Sequence, residues 1–112
     1  MVQSKRAEKP ARKASVKSGT KAQSEIGALD DLIGQCWFFR TVTYHLVGRV
    51  KKRIGNFFYL EEASWVASSG RFMQAIMDGT LDEVEPVGDA IVNINAITDG
   101  FPWVHPLPKN QK

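Results

Sequence analysis

Few residues in this chain have the chemistry for catalysis, and their spacing does not assemble it. Hydrolysis or group transfer needs a nucleophile beside a base, with a third group to orient that base. His45 follows Tyr44, and His105 lies between Val104 and Pro106; neither has a partner at a spacing that makes a triad or a metal site. Both read as surface or packing residues. Cys36 is the single cysteine, which excludes an internal disulfide framework and a multi-cysteine metal site. Set in an apolar run, it reads as a small buried hydrophobe rather than a reactive thiol. Asp78, Asp82, Glu83 and Glu85 cluster, but without the spacing and glycine of a calcium loop, and read as a solvated acidic loop. No glycine-rich phosphate loop is present. The pattern is that of a non-enzymatic protein with no catalytic residues, metal or cofactor.

The charges point instead to binding. Strand alternation would put Arg49, Lys51 and Arg53 on one face beside the Gly55-Asn56 turn. With Tyr44, His45, Phe57 and Tyr59 nearby, such a face would stack bases and hold phosphates. The bland alternative is a charged outer strand that discourages edge pairing. A second concentration lies in residues 1–24, where Lys5, Arg6, Lys9, Arg12, Lys13, Lys17 and Lys21 oppose only Glu8, a net +6. The remaining residues sum to −3, so the overall +3 conceals a basic arm on an acidic body. The arm holds no aromatic residue and too little apolar surface to offset the entropy of ordering, which predicts a flexible segment. Its partner would be nucleic acid, through phosphate neutralisation and counterion release, or an acidic protein surface. A solubilising tail with no specific partner is the third reading.

Positioning these groups falls to one small domain. A chain of 112 residues with 43% hydrophobic and 10% aromatic residues supports one modest core, which association with copies of itself would extend. The division expected is a basic arm over 1–24, a β-barrel domain over 25–108 and a polar tail over 109–112. Ser24 to Ile33 reads as a short helix with Ile26, Leu29, Leu32 and Ile33 as its stripe, ended by Gly34. Cys36 to Tyr44 is β-like and apolar on both faces, as when a strand is covered twice or bends sharply. Leu46 to Arg53 alternates, Gly55-Asn56 is a two-residue hairpin signal, and Phe57 to Glu61 returns. Gly48 within the strand suggests a bulge or bend. Phe72 to Met77 has helical spacing and Gly79 stops it. Glu83 to Val87 reads as a short edge strand, and Ile91 to Thr98 as the clearest strand of the second half, with Val92, Ile94 and Ala96 inward. The proline-rich run from Phe101 to Pro108 should lie extended, anchored by Phe101 and Trp103. No apolar stretch reaches the ~18 residues of a membrane span, which places the protein in the cytoplasm or in a particle assembled there.

Leu32-Ile33-Gly34, Gly48-Arg49-Val50 and Leu60-Glu61-Glu62-Ala63 together resemble the first motif of the Sm-like family. The resemblance implies an N-terminal helix and a strongly bent, SH3-like barrel of five strands. It also implies edge-to-edge association into rings. One helix, over Gly70 to Met77, would be an insertion. Sm-like RNA binders carry an asparagine just before the third strand, and counting from Leu60 puts Phe57 there. They also carry an Arg-Gly pair near the last strand, where this chain reads Val92-Asn93-Ile94-Asn95-Ala96. The chain also resembles short tailed-phage and bacterial proteins at Arg40–His45, Ser69–Phe72 and His105–Pro108. These readings favour a homo-oligomeric structural module of a phage-like particle, or virion, whose arm contacts nucleic acid or neighbouring subunits. The alternative is a ring-forming Sm-like RNA-binding protein.

Overall fold

The computed structural model describes residues 26–112, which fall into a segment up to Asp31 and a compact body, Leu32–Lys112. In the first segment Asp31 Oδ2 accepts the backbone N–H groups of Gly27 and Ala28 at 2.9 and 3.1 Å, which caps the turn that follows. Among the described residues the helix expected over Ser24–Ile33 is only a 3-10 turn, Leu29–Leu32. Its apolar stripe is mostly unburied: Leu32 is covered, but Leu29 and Ile33 are exposed. Short helices draw their stability from burial, and without it this one does not extend.

The body runs β1 (Cys36–Thr41), β2 (His45–Ile54), β3 (Phe57–Ser68), α1 (Phe72–Asp78), β4 (Glu83–Asn93), a 3-10 turn (Ile94–Ala96) and β5 (Ile97–Pro102). The strands form one bent antiparallel sheet in the order β4-β3-β2-β1-β5. The mainly β, bent five-stranded fold and its inserted helix are as expected, and the N-terminal helix is reduced to the 3-10 turn. The β2–β3 hairpin pairs Ile54 with Phe57 across Gly55-Asn56, and Gly55 takes the left-handed φ of +57° such a turn requires. Gly79 (φ +77°) caps α1, its N–H bonding the Ala75 carbonyl.

Both faces of β1 are buried. On one, Trp37 stacks on Phe39 (6.2 Å between centroids) and Phe39 on Phe58 (5.8 Å). Leu46 and Leu60 are buried on this same face by their strand positions. On the other, Phe38, Val47, Val66 and Val84 form a cluster with Ala75 of α1, Leu81, Trp103 and Leu107. The inserted helix and the chain after β5 are therefore the second cover that lets an all-apolar β1 sit in the middle of the core. Arg40 pairs across β1–β5 with Asp99, its Nε donating to Oδ1 at 2.7 Å, and lies over the Phe72 ring at 4.4 Å.

Bulges bend the sheet at Thr98 on β5, at Ala67 on β3 and at three further places. Lys51 is an extra residue on β2 between the Val50–Leu60 and Lys52–Tyr59 pairs. An extra residue on β3 falls between Leu60 and Ala63, where Glu62 takes φ +51°, and one on β4 falls between Gly88 and Pro86. Gly48 lies close against β3, between the Val47–Ser64 and Arg49–Glu61 pairs: a Cβ there would lie 3.1 Å from both Cα and Cβ of Ala63.

The second half departs from the sequence reading. β4 extends from Glu83 through Pro86 and Gly88 to Asn93, because an edge strand tolerates a residue without an N–H. The Ile91–Thr98 strand does not exist as one piece: Asn93 Oδ1 accepts the Asn95 N–H and winds the chain into the 3-10 turn before β5. Val92 is buried, whereas Ala96 is exposed. Phe101 and Pro102 of the expected extended run belong to β5; beyond them Trp103 is buried and its indole N–H donates to the Pro106 carbonyl across a bend at His105. Lys112 then exchanges backbone hydrogen bonds with Val84 on the outer edge of β4, at 3.0 and 2.9 Å.

Candidate nucleic-acid interface

One end of the sheet gathers side chains able to read a base. The β2–β3 turn and the β4–β5 turn meet there because Phe57 pairs with Asn93. The Ile94 N–H donates to the Asn56 carbonyl at 2.9 Å, and Asn56 Nδ2 donates to Asn93 Oδ1 at 3.1 Å. Arg53 Nε donates to the Gly55 carbonyl at 2.9 Å and steadies the hairpin. The two turns are thus tied into one rim with Asn56, Asn93 and Asn95 exposed along it. Each amide has donor and acceptor atoms, the combination that pairs with base edges of a single strand.

A second group lies along the strands from this rim. Tyr59 faces Lys52 on β2 and Ile91 on β4. The Lys51 and Lys52 ammonium groups sit 5.6 and 5.5 Å from the Tyr59 ring centre. Tyr59 donates its hydroxyl proton to Asp89 at 2.8 Å, and that bond raises the phenol above its ordinary pKa.

The patch expected from alternation is divided. The Lys51 bulge shifts the phase, so Lys52 shares the Tyr59 face and Arg53, opposite Phe58, turns to the other. Arg49 is held by Glu62 at 2.9 Å and Glu61 at 3.5 Å, which offsets its charge. Its hydrogen bond also holds the Glu62 carboxyl below the usual carboxylate range. Tyr44 belongs to the β1–β2 turn, edge-on to Trp65, and is separated from the hairpin tip by roughly 30 Å of strand. Phe57 and Tyr59 stay together near the rim. The charged-strand reading of the lysines keeps a place: among the described residues β1 and the chain before it pair with β2 only as far as Val50, so Lys51–Ile54 has no neighbouring strand on that side. The arm residues Lys5, Arg6, Lys9, Arg12, Lys13, Lys17 and Lys21 lie outside the described residues.

Sequence reasoning missed Asn56, Asn93 and Asn95 as members of the rim, and missed that Lys52, outside the rim, faces Tyr59. Counting from Leu60 placed Phe57 at the asparagine position, but β3 begins at Phe57 itself, so the residue just before it is Asn56. The absence of an Arg-Gly pair stands; asparagines occupy that turn.

The remaining reactive groups are engaged structurally. His45 packs against Phe38 and its pKa is lowered, chiefly by burial and then by Arg40. His105 Nε2 lies 2.7 Å from the Ile76 carbonyl. Burial pushes the Cys36 thiol up. Among the described residues no group of three or more His, Cys, Asp or Glu side chains could hold a metal ion, and no helix is long and apolar enough to cross a membrane.

No family model matches the chain, and no curated protein matches it. Among solved structures it is similar to a heptameric archaeal Sm protein, at 19% identity over 75% of this chain and 97% of that one, with a TM-score of 0.44. It is similar to the P. aerophilum SmAP1 heptamer at 18% identity over 80% of this chain and 96% of that one (TM-score 0.45). For an Sm-like protein of Archaeoglobus fulgidus the figures are 14%, 80%, 99% and 0.45. These findings overturn the reading of a phage-particle assembly module: the neighbours are archaeal Sm proteins. The segments that suggested phage proteins have structural roles here. Arg40 clamps Asp99, Phe72 packs on Phe38 and Phe101, and His105 packs on Trp103.

Proposed function

We propose that this protein is a non-enzymatic, ring-forming binder of single-stranded RNA that reads bases at the rim formed by Asn56, Asn93 and Asn95. The observation that carries the reading is the junction of the β2–β3 and β4–β5 turns. It bonds the Asn56 and Asn93 side-chain amides to each other and ties the Asn95 backbone N–H to the same frame, instead of leaving them on independent loops. A preformed frame lowers the ordering cost of binding. Copies associate edge to edge, because the sheet order leaves β4 and β5 as its two ends. On β4 the edge is taken at Val84 by Lys112, and Pro86, at the next outward position, has no N–H. The stretch Gly88–Asn93 is therefore the part that accepts a neighbour's β5. This brings the rims of successive copies around a common centre. The +6 segment over residues 1–24 adds phosphate attraction without sequence preference.

Native mass spectrometry of the full chain with oligouridine tests this. The expected result is a species several times the 12.5 kDa chain mass that carries RNA. Asn56→Ala and Asn93→Ala should weaken RNA binding while the assembly mass persists. A monomer with and without RNA, or binding indifferent to both substitutions, refutes it.

A further inference from the structure

The face of the sheet that carries Phe38 is covered over only part of its length. α1 and the chain from Trp103 to Leu107 cover its near half. Next along β2 and β3 comes a fence of ion pairs, Arg49 with Glu61 and Glu62, and Glu62 with Lys109 at 3.6 Å. Beyond the fence no described element covers the face. Two cross-strand rows lie open there, Lys52–Tyr59–Ile91 and Ile54–Phe57–Asn93. Ile91 is 57% exposed, Ile54 49% and Phe57 38%, a contiguous apolar surface across β2, β3 and β4.

We infer that this open half-face is a second contact for single-stranded nucleic acid, which continues from the asparagine rim across Phe57 and Tyr59. The inference rests on the RNA-binding reading for its ligand class. Its occupant is chosen by charge. The bulge at Lys51 places two consecutive lysines beside one tyrosine, where an unbroken strand would place one. Asp89, which accepts the Tyr59 hydroxyl proton, sets one negative charge against the two lysines, while Glu61 and Glu62 are balanced by Arg49 and Lys109. The net charge offered to a ligand at Tyr59 is therefore positive, and the surface between the charges is aromatic and aliphatic. A polyanion with flat apolar rings satisfies both components: bases lie on the Phe57 and Tyr59 side chains while Lys51 and Lys52 meet phosphates.

The test uses the full chain and two oligouridines, one of about six nucleotides to fill the rim alone and one of about eighteen to reach beyond it. Fluorescence anisotropy across a salt series reads both. The double variant Lys51→Gln, Lys52→Gln should leave the short strand's affinity unchanged and weaken the long one. The long strand's log–log salt slope should also become shallower by about 1.4, two phosphates at ~0.7 each. Tyr59→Leu should weaken the long strand about five- to a hundred-fold, the range for losing one stacked base. Tyr59→Phe, which keeps the ring and removes only the bond to Asp89, should bind as the parent does. Unchanged binding of the long strand in the lysine and Tyr59→Leu variants, with Asn56→Ala still weakening the short one, overturns this inference and leaves the rim reading intact. The converse pattern sinks the rim and supports the face. Failure of the parent protein to bind either strand at low salt overturns both.

Discussion

Replacing Gly48 with alanine tests whether the bend of the sheet is set by contact between β2 and β3. The added Cβ would stand 3.1 Å from the Ala63 Cα and Cβ and 3.4 Å from the Glu61 carbonyl oxygen. Two of these three neighbours are backbone atoms that no rotamer change can move. Overpacking of this kind costs about 1–3 kcal/mol, and the lost freedom of the unfolded chain returns about 0.4–1 kcal/mol. The net expectation is destabilisation of about 1–2 kcal/mol, roughly a 5–15 °C fall in Tm for an ordered body of this size. Denaturant unfolding of the full chain should show a lower midpoint at constant m. Ala63→Gly in the same background removes one of the two 3.1 Å contacts, so the double variant should be more stable than the sum of the single changes implies. A midpoint equal to or above the parent's for Gly48→Ala, or strict additivity in the double variant, would refute the claim that this approach sets the bend.

Three further predictions use other parts of the molecule. A hydrogen bond from Arg40 holds the Asp99 carboxyl below its ordinary value, so the unfolded chain takes up the proton first as pH falls. That contribution is complete above the unfolded pKa of about 4 and is lost as pH drops through the lower folded value; Asp99→Asn should flatten this part of an acid-unfolding curve measured by circular dichroism, and an unchanged curve would count against the clamp. At Gly55 (φ +57°) a Cβ meets nothing within 4 Å, so backbone strain alone should decide: both Gly55→Asn and Gly55→Val should lower Tm, Val the more, with equal effects contradicting the turn assignment. Deleting residues 1–24 should flatten the salt slope of single-stranded RNA binding by about 4, six net charges at ~0.7 each, while Asn56→Ala still weakens what remains; an unchanged slope removes the arm from binding.

The parts legible in the sequence were those with local chemistry. Gly55-Asn56 between alternating strands gives the hairpin directly, and Gly79 after an apolar helical run gives the end of α1. The doubly apolar start of β1 foretold its two covers, though not that α1 and the chain after β5 would supply one of them. What was hidden depends on partners distant in sequence. The pairing of Arg40 with Asp99 spans 59 residues. Pro86 and Gly88 look like strand breakers, yet β4 passes through both because its outer edge needs few donors. The asparagine rim required knowing that Asn93 lies opposite Phe57, which no local pattern reveals.

The bulge at Lys51 links the fold to the site, and its cause lies in the core. On β2, Leu46, Gly48 and Val50 share the face of Trp37, Phe39 and Phe58. Unbroken alternation would send Lys52 onto that face as well, among the stacked rings, where an unpaired ammonium carries a large desolvation cost. One extra residue removes the conflict: Lys52 passes to the face of Tyr59, and Arg53 returns toward Phe58 only at the exposed tip, where its guanidinium reaches the Gly55 carbonyl. The same residue increases the local twist of β2 as it enters the hairpin. That turn is the one whose Asn56 carbonyl receives the Ile94 N–H. Keeping charge out of the aromatic core, gathering two lysines beside Tyr59 and carrying the hairpin to the β4–β5 turn are thus three consequences of one inserted residue, Lys51.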